Sequence, residues 1–125
     1  MRPAWRLVLL VAIASTACGN PPSAGGPQAA TGGRELYASN GCAVCHGSEG
    51  RGDGPVAAGT TPRPTDFTKP ESFKTARTVD AVATVIADGI PSTPRPMPPY
   101  RHLDEGARRL IAEYVLSLGD QGSRR

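Results

Sequence analysis

The segment Cys42-Ala43-Val44-Cys45-His46 decides how the rest of the chain is interpreted. Two cysteines three positions apart fit one turn of helix, which presents both sulfur atoms on one face. Thiols at this spacing can add to the vinyl groups of a haem, and the histidine that follows can bind the iron. The same cysteine spacing also occurs in zinc sites and in thiol–disulfide enzymes. The surrounding sequence has to distinguish these three kinds of chemistry.

One methionine is available as a second axial ligand. Met97 is the only methionine besides Met1, and it lies in the segment Pro94-Arg95-Pro96-Met97-Pro98-Pro99. Prolines fix φ and reduce loop entropy, so such a segment can hold one side chain in place. Since a thioether is a common second ligand of haem iron in electron carriers, we expect Met97 to ligate. His102, the other histidine, is the weaker candidate because it fits a surface position just before a helix.

Helical periodicity predicts an all-α fold with three main helices and long loops. The first helix covers about residues 34–40 and leads into the motif. The second follows Thr78 as N-cap and stops at Gly89, and the third runs from an N-cap at Asp104 to a stop at Gly119. No segment alternates with period two, so no substantial sheet is expected.

The predicted folded region, residues 34–120, has a thin apolar core. Domains of this size often need a covalent cross-link or a bound cofactor to stabilise them in addition to their core. A covalently held haem would serve as both, and the long loops 46–69 and 90–101 could wrap such a planar cofactor. The aromatic residues of this region are Tyr37, Phe67, Phe73, Tyr100 and Tyr114.

The two ends of the chain are assigned to other roles. Residues 1–17 have a basic start, a short apolar stretch and small residues, which is typical of an export signal. Cys18 follows a sequence similar to a bacterial lipobox, so we expect a lipoprotein held at the membrane in the periplasm. Ordinary cleavage and a soluble periplasmic protein is the alternative. Residues 18–33 form an uncharged Gly/Pro-rich tether, and 121–125 a short tail.

Charge argues against nucleic acid as a partner. The chain carries a net charge of +3. Two of its basic residues, Arg2 and Arg6, lie in the predicted export signal. The remaining chain has twelve basic and eleven acidic residues and no concentrated basic segment. Nucleic-acid binding usually needs a concentrated basic face.

The motifs after the tether occur in an order that resembles class I c-type cytochromes with one haem. They are Tyr37, Cys42–Gly47, Gly50–Pro55, Pro64–Phe67, Pro96–Pro98 and Ile111–Leu118. The resemblance implies one covalent haem c on Cys42 and Cys45, in a crevice of a compact helical fold. It also implies that the first and last helices cross near Tyr37 and Tyr114.

The resemblance extends to weaker assignments around the cofactor. It implies that the backbone carbonyl of Pro55 accepts a hydrogen bond from the His46 ring, which would orient the ligand. It places Arg63 and Arg95 in loops near the haem, where either could neutralise a propionate. Gly50-x-Gly52-x-Gly54 is then the tight loop after the haem motif and not a phosphate-binding loop, since no strand precedes it and no lysine follows.

The expected function is electron transfer between periplasmic or membrane redox partners. Iron ligated by both His46 and Met97 has no open position for a substrate, so we expect a carrier and not an enzyme. The chain could act as a monomer or as a subunit of a larger oxidoreductase. Ala43, Val44 and Pro98 could form an apolar docking patch.

The alternative is a gas-sensing or peroxidase-like haem domain with a displaceable Met97. A dithiol or zinc site would need a βαβ context or a second ligand pair, which the sequence does not offer.

Overall fold

The computed structural model describes residues 27–91 and 96–124, with side chains from residue 31 onwards. The predicted export signal, Cys18 and Arg95 lie outside these residues. Within them the chain forms helices and no strand, apart from one isolated bridge between Ile90 and Met97. The all-α prediction is confirmed. The α-helices are α1 (Pro27–Ser39), α2 (Cys42–His46), α3 (Val79–Asp88) and α4 (Glu105–Gly122), with 3₁₀ turns at Ala57–Gly59 and Pro70–Ser72.

Helix α1 begins earlier than the sequence predicts. It starts at Pro27, so residues 27–33, assigned to the tether, belong to the helix. Gly33 is buried against α4, and a Cβ atom there would lie 2.8 Å from Cβ of Tyr114 and would overlap the Leu110 carbonyl oxygen. The missing side chain allows the two helices to approach closely. This packing outweighs the low helix propensity of glycine.

Helix α3 has the predicted ends. The Thr78 side chain accepts a hydrogen bond from the amide of Ala81 at 3.2 Å, as an N-cap does. Gly89 follows the last turn with φ 71°. Val82, Ala83 and Ile86 form the buried face.

Helix α4 begins as predicted and ends later. The Asp104 carboxylate accepts from the amide of Ala107 at 2.8 Å. The helix continues through Gly119 to Gly122, so the predicted stop is wrong and the predicted tail starts within the helix. Gly119 is buried, and a Cβ atom there would lie 3.1 Å from the Phe67 carbonyl oxygen. This glycine therefore provides space for a neighbouring loop.

The core lies where α1 and α3 pack on α4. The rings of Tyr37 and Tyr114 meet edge-on, with centroids 5.3 Å apart, which is the crossing that the resemblance implied. No helix in the described part of the chain is long and apolar enough to cross a membrane. The buried residues of the core are Tyr37, Val82, Ala83, Ile86, Ile111, Ala112, Tyr114 and Val115.

Candidate functional site

The five motif residues form a short helix of their own, α2, which the one-turn prediction anticipated. Gly41 precedes it in a left-handed conformation and turns the chain out of α1. Cys42 and Cys45 are free thiols, and both line one cavity together with His46. The cysteine spacing therefore places both residues at the same cavity.

The glycine-rich loop after the motif binds the open end of α2. The last carbonyl groups of a helix have no hydrogen-bond donors within the helix. Here alternate amides of the loop act as those donors. A Cβ atom on Gly54 would lie 2.6 Å from both the carbonyl oxygen of Ala43 and the carbonyl carbon of Val44, so this close approach requires glycine. The three hydrogen bonds run from the amides of Gly52, Gly54 and Val56 to the carbonyls of His46, Cys45 and Val44, at 2.8, 3.2 and 3.2 Å.

The His46 imidazole is held by two contacts from one loop. Its Nδ1 atom lies 3.1 Å from the carbonyl oxygen of Thr65, and its ring stacks on Phe67 with centroids 4.5 Å apart. Burial lowers the pKa of His46, which keeps the ring neutral. Because a carbonyl only accepts, Nδ1 carries the hydrogen of the neutral ring and Nε2 keeps its lone pair. A lone pair on Nε2 is what a metal ligand needs.

The prediction that the Pro55 carbonyl accepts a hydrogen bond from the His46 ring is wrong. Pro55 is exposed and lies between Gly54 and Val56, whose amides bind the α2 carbonyls. The neighbours of Pro55 therefore hold it beside the C-terminal end of α2. The His46 ring contacts the Thr65 segment instead. Thr65 is the residue that sequence reasoning missed.

The cavity beside α2 has a volume of about 500 Å³, within the range of cofactor sites. Its walls are mostly apolar, and they include no carboxylate among the described residues. Two basic residues, Arg63 and Lys74, line the cavity, and both are exposed. Such a site suits a large apolar group with negative charges at one edge. Apolar and aromatic lining residues include Tyr37, Phe67, Phe73, Val82, Val85, Ile86, Tyr100, Ile111 and Val115.

Met97 lines the same cavity as His46, Cys42 and Cys45. It is half-buried and lies between the exposed residues Pro96 and Pro98. Its backbone exchanges two hydrogen bonds with Ile90, at 3.0 and 3.1 Å. The structure thus brings all four residues predicted to hold a haem to one cavity.

The remaining candidates divide between the cavity and the surface. Arg63 lines the cavity, as does Lys74, which sequence reasoning did not single out. His102 is exposed, does not line the cavity, and has its ring 5.7 Å from that of Tyr100. Of the predicted docking residues, Val44 is 48% exposed and Pro98 is exposed, whereas Ala43 is partly buried.

The thiol chemistry differs from that of a dithiol enzyme. Burial raises the pKa of Cys42 to about 11, so this thiol is protonated at neutral pH. Catalytic cysteines of thiol–disulfide enzymes have lowered pKa values instead. In the described part of the chain no group of three or more metal-binding side chains is present around these cysteines or elsewhere. The donor set fits a covalently attached haem better than either alternative.

Comparison with known proteins agrees with this chemistry. A family model described as Cytochrome c matches residues 30–119. A chain of the reducing HAO-like protein complex of Kuenenia stuttgartiensis is similar in structure, with a TM-score of 0.58 and 27% sequence identity. The match covers 75% of the present chain and 44% of that chain, so the protein spans less than half of this neighbour's length. No curated protein matches the chain.

Proposed function

The chain belongs to the cytochrome c family, and we propose that it carries electrons on one haem c whose iron is ligated by His46 and Met97. Binding of haem c and electron transfer through it are properties of this family. The ligand pair and the partners are the specific parts of the proposal. The observation that carries it is the shared cavity, since Cys42, Cys45, His46 and Met97 all line it.

Each of these side chains has one role toward the haem. The sulfur atoms of Cys42 and Cys45 would hold it as thioethers, while Nε2 of His46 and the Met97 sulfur would bind the iron. When bound, the haem supplies an iron that cycles between Fe(III) and Fe(II). A methionine ligand favours the reduced state and raises the potential.

The residues around the ligands tune and shield the site. The Thr65 carbonyl accepts the Nδ1 hydrogen of His46, which orients the ring and increases its donor strength. Apolar wall residues such as Val82 and Ile86 would shield a bound haem from water. Exclusion of water disfavours the more highly charged oxidised state, which again raises the potential.

Charged residues at the cavity support binding of the haem propionates. Arg63 and Lys74 are exposed lining residues, so each could pair with a carboxylate without being buried itself. Arg95, which lies outside the described residues, remains a second predicted partner.

A test of the ligand pair uses the purified holoprotein and its Met97→Leu variant, with His102→Gln as control. We expect the wild type to be low-spin, to have a positive midpoint potential and not to bind carbon monoxide at neutral pH. Met97→Leu should lower the potential and open the iron to carbon monoxide, whereas His102→Gln should change neither. Rapid carbon monoxide binding by the wild type would favour the sensor or peroxidase-like alternative, and a strongly negative potential would contradict methionine ligation.

We further propose that the protein is exported and tethered in the periplasm through a lipid on Cys18. The basic and apolar start of the chain and the lipobox-like residues before Cys18 support this location. Mass spectrometry of the membrane fraction would test it, since a mature N-terminus without Cys18 excludes lipidation.

The redox partner would be a periplasmic or membrane protein, met either transiently or as a fixed neighbour. That the similar structure comes from a protein complex supports a role as a subunit. Affinity capture from membranes, followed by identification of co-purifying redox proteins, separates the two cases.

A further inference from the structure

The segment that carries Met97 is fastened to the end of helix α3 by backbone atoms. The amide of Gly89 closes the last turn of α3 on the Val85 carbonyl at 2.8 Å. The chain then returns, and the Tyr100 amide binds the Ile86 carbonyl at 2.9 Å. Two further hydrogen bonds, at 3.0 and 3.1 Å, pair Ile90 with Met97. The chain is therefore held at Met97 itself and again three residues later at Tyr100.

Gly89 lies directly under this returning segment. A Cβ atom on Gly89 would lie 2.5 Å from the carbonyl oxygen of Met97 and 2.9 Å from backbone atoms of Pro98 and Pro99. Real Cβ atoms do not approach other atoms this closely, and backbone atoms cannot rotate aside as a side chain can. Any side chain at Gly89 would displace Met97 and the two prolines after it.

The conformation of Gly89 adds a second restriction. Its φ of 71° and ψ of −174° belong to a region that is essentially reserved for glycine. A substituted residue 89 would therefore move toward other dihedral angles. That movement changes the direction in which the chain leaves α3 for Ile90 and Met97.

We infer that Gly89 is the positioning residue for the Met97 sulfur, acting through backbone contact and not by touching the haem. This inference rests on the proposed ligation by Met97. A thioether binds iron weakly, so a small displacement of its backbone is enough to weaken the bond. Gly89 thus links the end of α3 to the coordination of the iron.

The test compares three variants of the holoprotein: Gly89→Ala, Met97→Leu and Thr78→Ala. Thr78→Ala removes the N-cap of α3 and weakens the same helix at its other end. We expect Gly89→Ala to lose the Fe(III)–thioether absorption band, to shift its midpoint potential toward that of Met97→Leu and to bind carbon monoxide. Thr78→Ala should retain the wild-type band, potential and resistance to carbon monoxide.

The outcomes separate the two proposals. If Met97→Leu has the spectrum and potential of the wild type, Met97 is not the ligand and both proposals fail. If Met97→Leu changes these properties and Gly89→Ala does not, the ligation stands and the role of Gly89 is refuted. Equal changes in Gly89→Ala and Thr78→Ala would reduce the effect to general destabilisation of α3 and would also refute it.

A measurement on the wild type covers the case in which Gly89→Ala does not fold. The amides of Ile90 and Met97 each donate to the other's carbonyl, so both should be protected from hydrogen exchange in the holoprotein. Exchange of either amide at the rate of an unstructured peptide would overturn the proposed backbone attachment.

Discussion

Tyr37 joins two parts of the molecule through one side chain. Its ring packs edge-on against Tyr114, and its hydroxyl donates a hydrogen bond to the Gly47 carbonyl at 2.7 Å. The side chain is almost fully buried, and this burial raises the pKa of the hydroxyl, which therefore stays a donor at neutral pH. Gly47 follows His46 directly, so Tyr37 ties the helix crossing to the end of the haem motif.

Removal of this hydroxyl should cost stability without disturbing the ring pair. Tyr37→Phe removes one of the two donors to the buried Gly47 carbonyl, which keeps its hydrogen bond from the Gly50 amide at 3.1 Å. We therefore expect the free energy of unfolding to fall by about 0.5–1.5 kcal/mol. Tyr37→Leu also removes the aromatic pair and should cost about 1 kcal/mol more. Guanidinium unfolding of the holoproteins measures both losses. A Tyr37→Phe variant as stable as the wild type would show that the hydrogen bond contributes nothing.

Asp66 stabilises the turn that presents the Thr65 carbonyl to His46. Its Oδ1 atom accepts from the hydroxyl and the amide of Thr68, at 2.6 and 3.0 Å, and Lys69 lies 3.4 Å from Oδ2. Burial disfavours the charged carboxylate, but these partners outweigh it and lower the pKa of Asp66. Ionised Asp66 therefore stabilises the folded state.

The contribution of Asp66 should depend on pH in one direction. A lowered folded pKa gives stability that is present above the unfolded value of about 3.9 and is lost as pH falls through the folded pKa. We expect Asp66→Asn to lower the free energy of unfolding at pH 7 by about 0.5 kcal/mol, because the group is near the surface. Unfolding curves of both proteins from pH 7 to pH 3 should converge at the acid end. A difference that stays constant with pH would contradict this role.

Residue type was enough to predict four side chains that line the cavity, but it did not predict the backbone contact to His46. Cys42, Cys45 and His46 carry their chemistry in their residue types, and Met97 was selected because no other methionine follows the predicted export signal. The acceptor for His46 is a carbonyl, which every residue possesses, so residue type could not identify Thr65. The Asp66–Thr68 pair, which forms a side-chain turn, was the available signal for a fixed loop there.

Among the elements, the crossing of α1 and α4 depends on one of two adjacent glycines. A Cβ atom on Gly33 would overlap the Leu110 carbonyl oxygen, whereas one on Gly32 would meet Cδ1 of Leu110 at an ordinary 3.9 Å. Both residues lie in α1, so their intrinsic cost to the helix is the same. They differ in what they face.

Alanine at the two positions should therefore have opposite effects. Gly32→Ala should raise the free energy of unfolding by about 0.5–1 kcal/mol, since alanine favours the helix. Gly33→Ala should lower it by about 1–3 kcal/mol, because α1 must move away from α4. Thermal unfolding of the two holoproteins, followed by circular dichroism, compares them directly. Equal effects of the same sign would mean that α1 does not pack on α4 as described.

The helix boundaries show that N-cap residues can be predicted from sequence more reliably than glycines that end a helix. Thr78 and Asp104 were correctly identified as N-caps because their side chains bind local amides. The sequence pattern predicts helix limits at Gly33 and Gly119, but both lie inside helices at points of close contact with another part of the chain. A glycine that ends a helix and one that admits a neighbour have the same local sequence pattern. The distinction requires the tertiary arrangement.

Considered as a whole, the molecule has a small core on one side of a large apolar cavity. Val82, Ile86, Ile111 and Val115 belong to the core and also line the cavity. The same side chains would thus pack against each other and against the haem. Loss of the haem would expose the inner face of the core.

Removal of the haem should therefore unfold or collapse the protein, beyond the loss of its redox activity. The cavity is lined mostly by apolar side chains, so loss of the haem would expose them to water and remove the packing that the haem supplies. We expect a Cys42→Ser/Cys45→Ser apoprotein to lose near-UV circular dichroism and cooperative unfolding. The Met97→Leu holoprotein is the control, because it lacks the axial bond and keeps the attached haem filling the cavity. Cooperative unfolding of the apoprotein near the holoprotein midpoint would mean that the helices support each other without the cofactor.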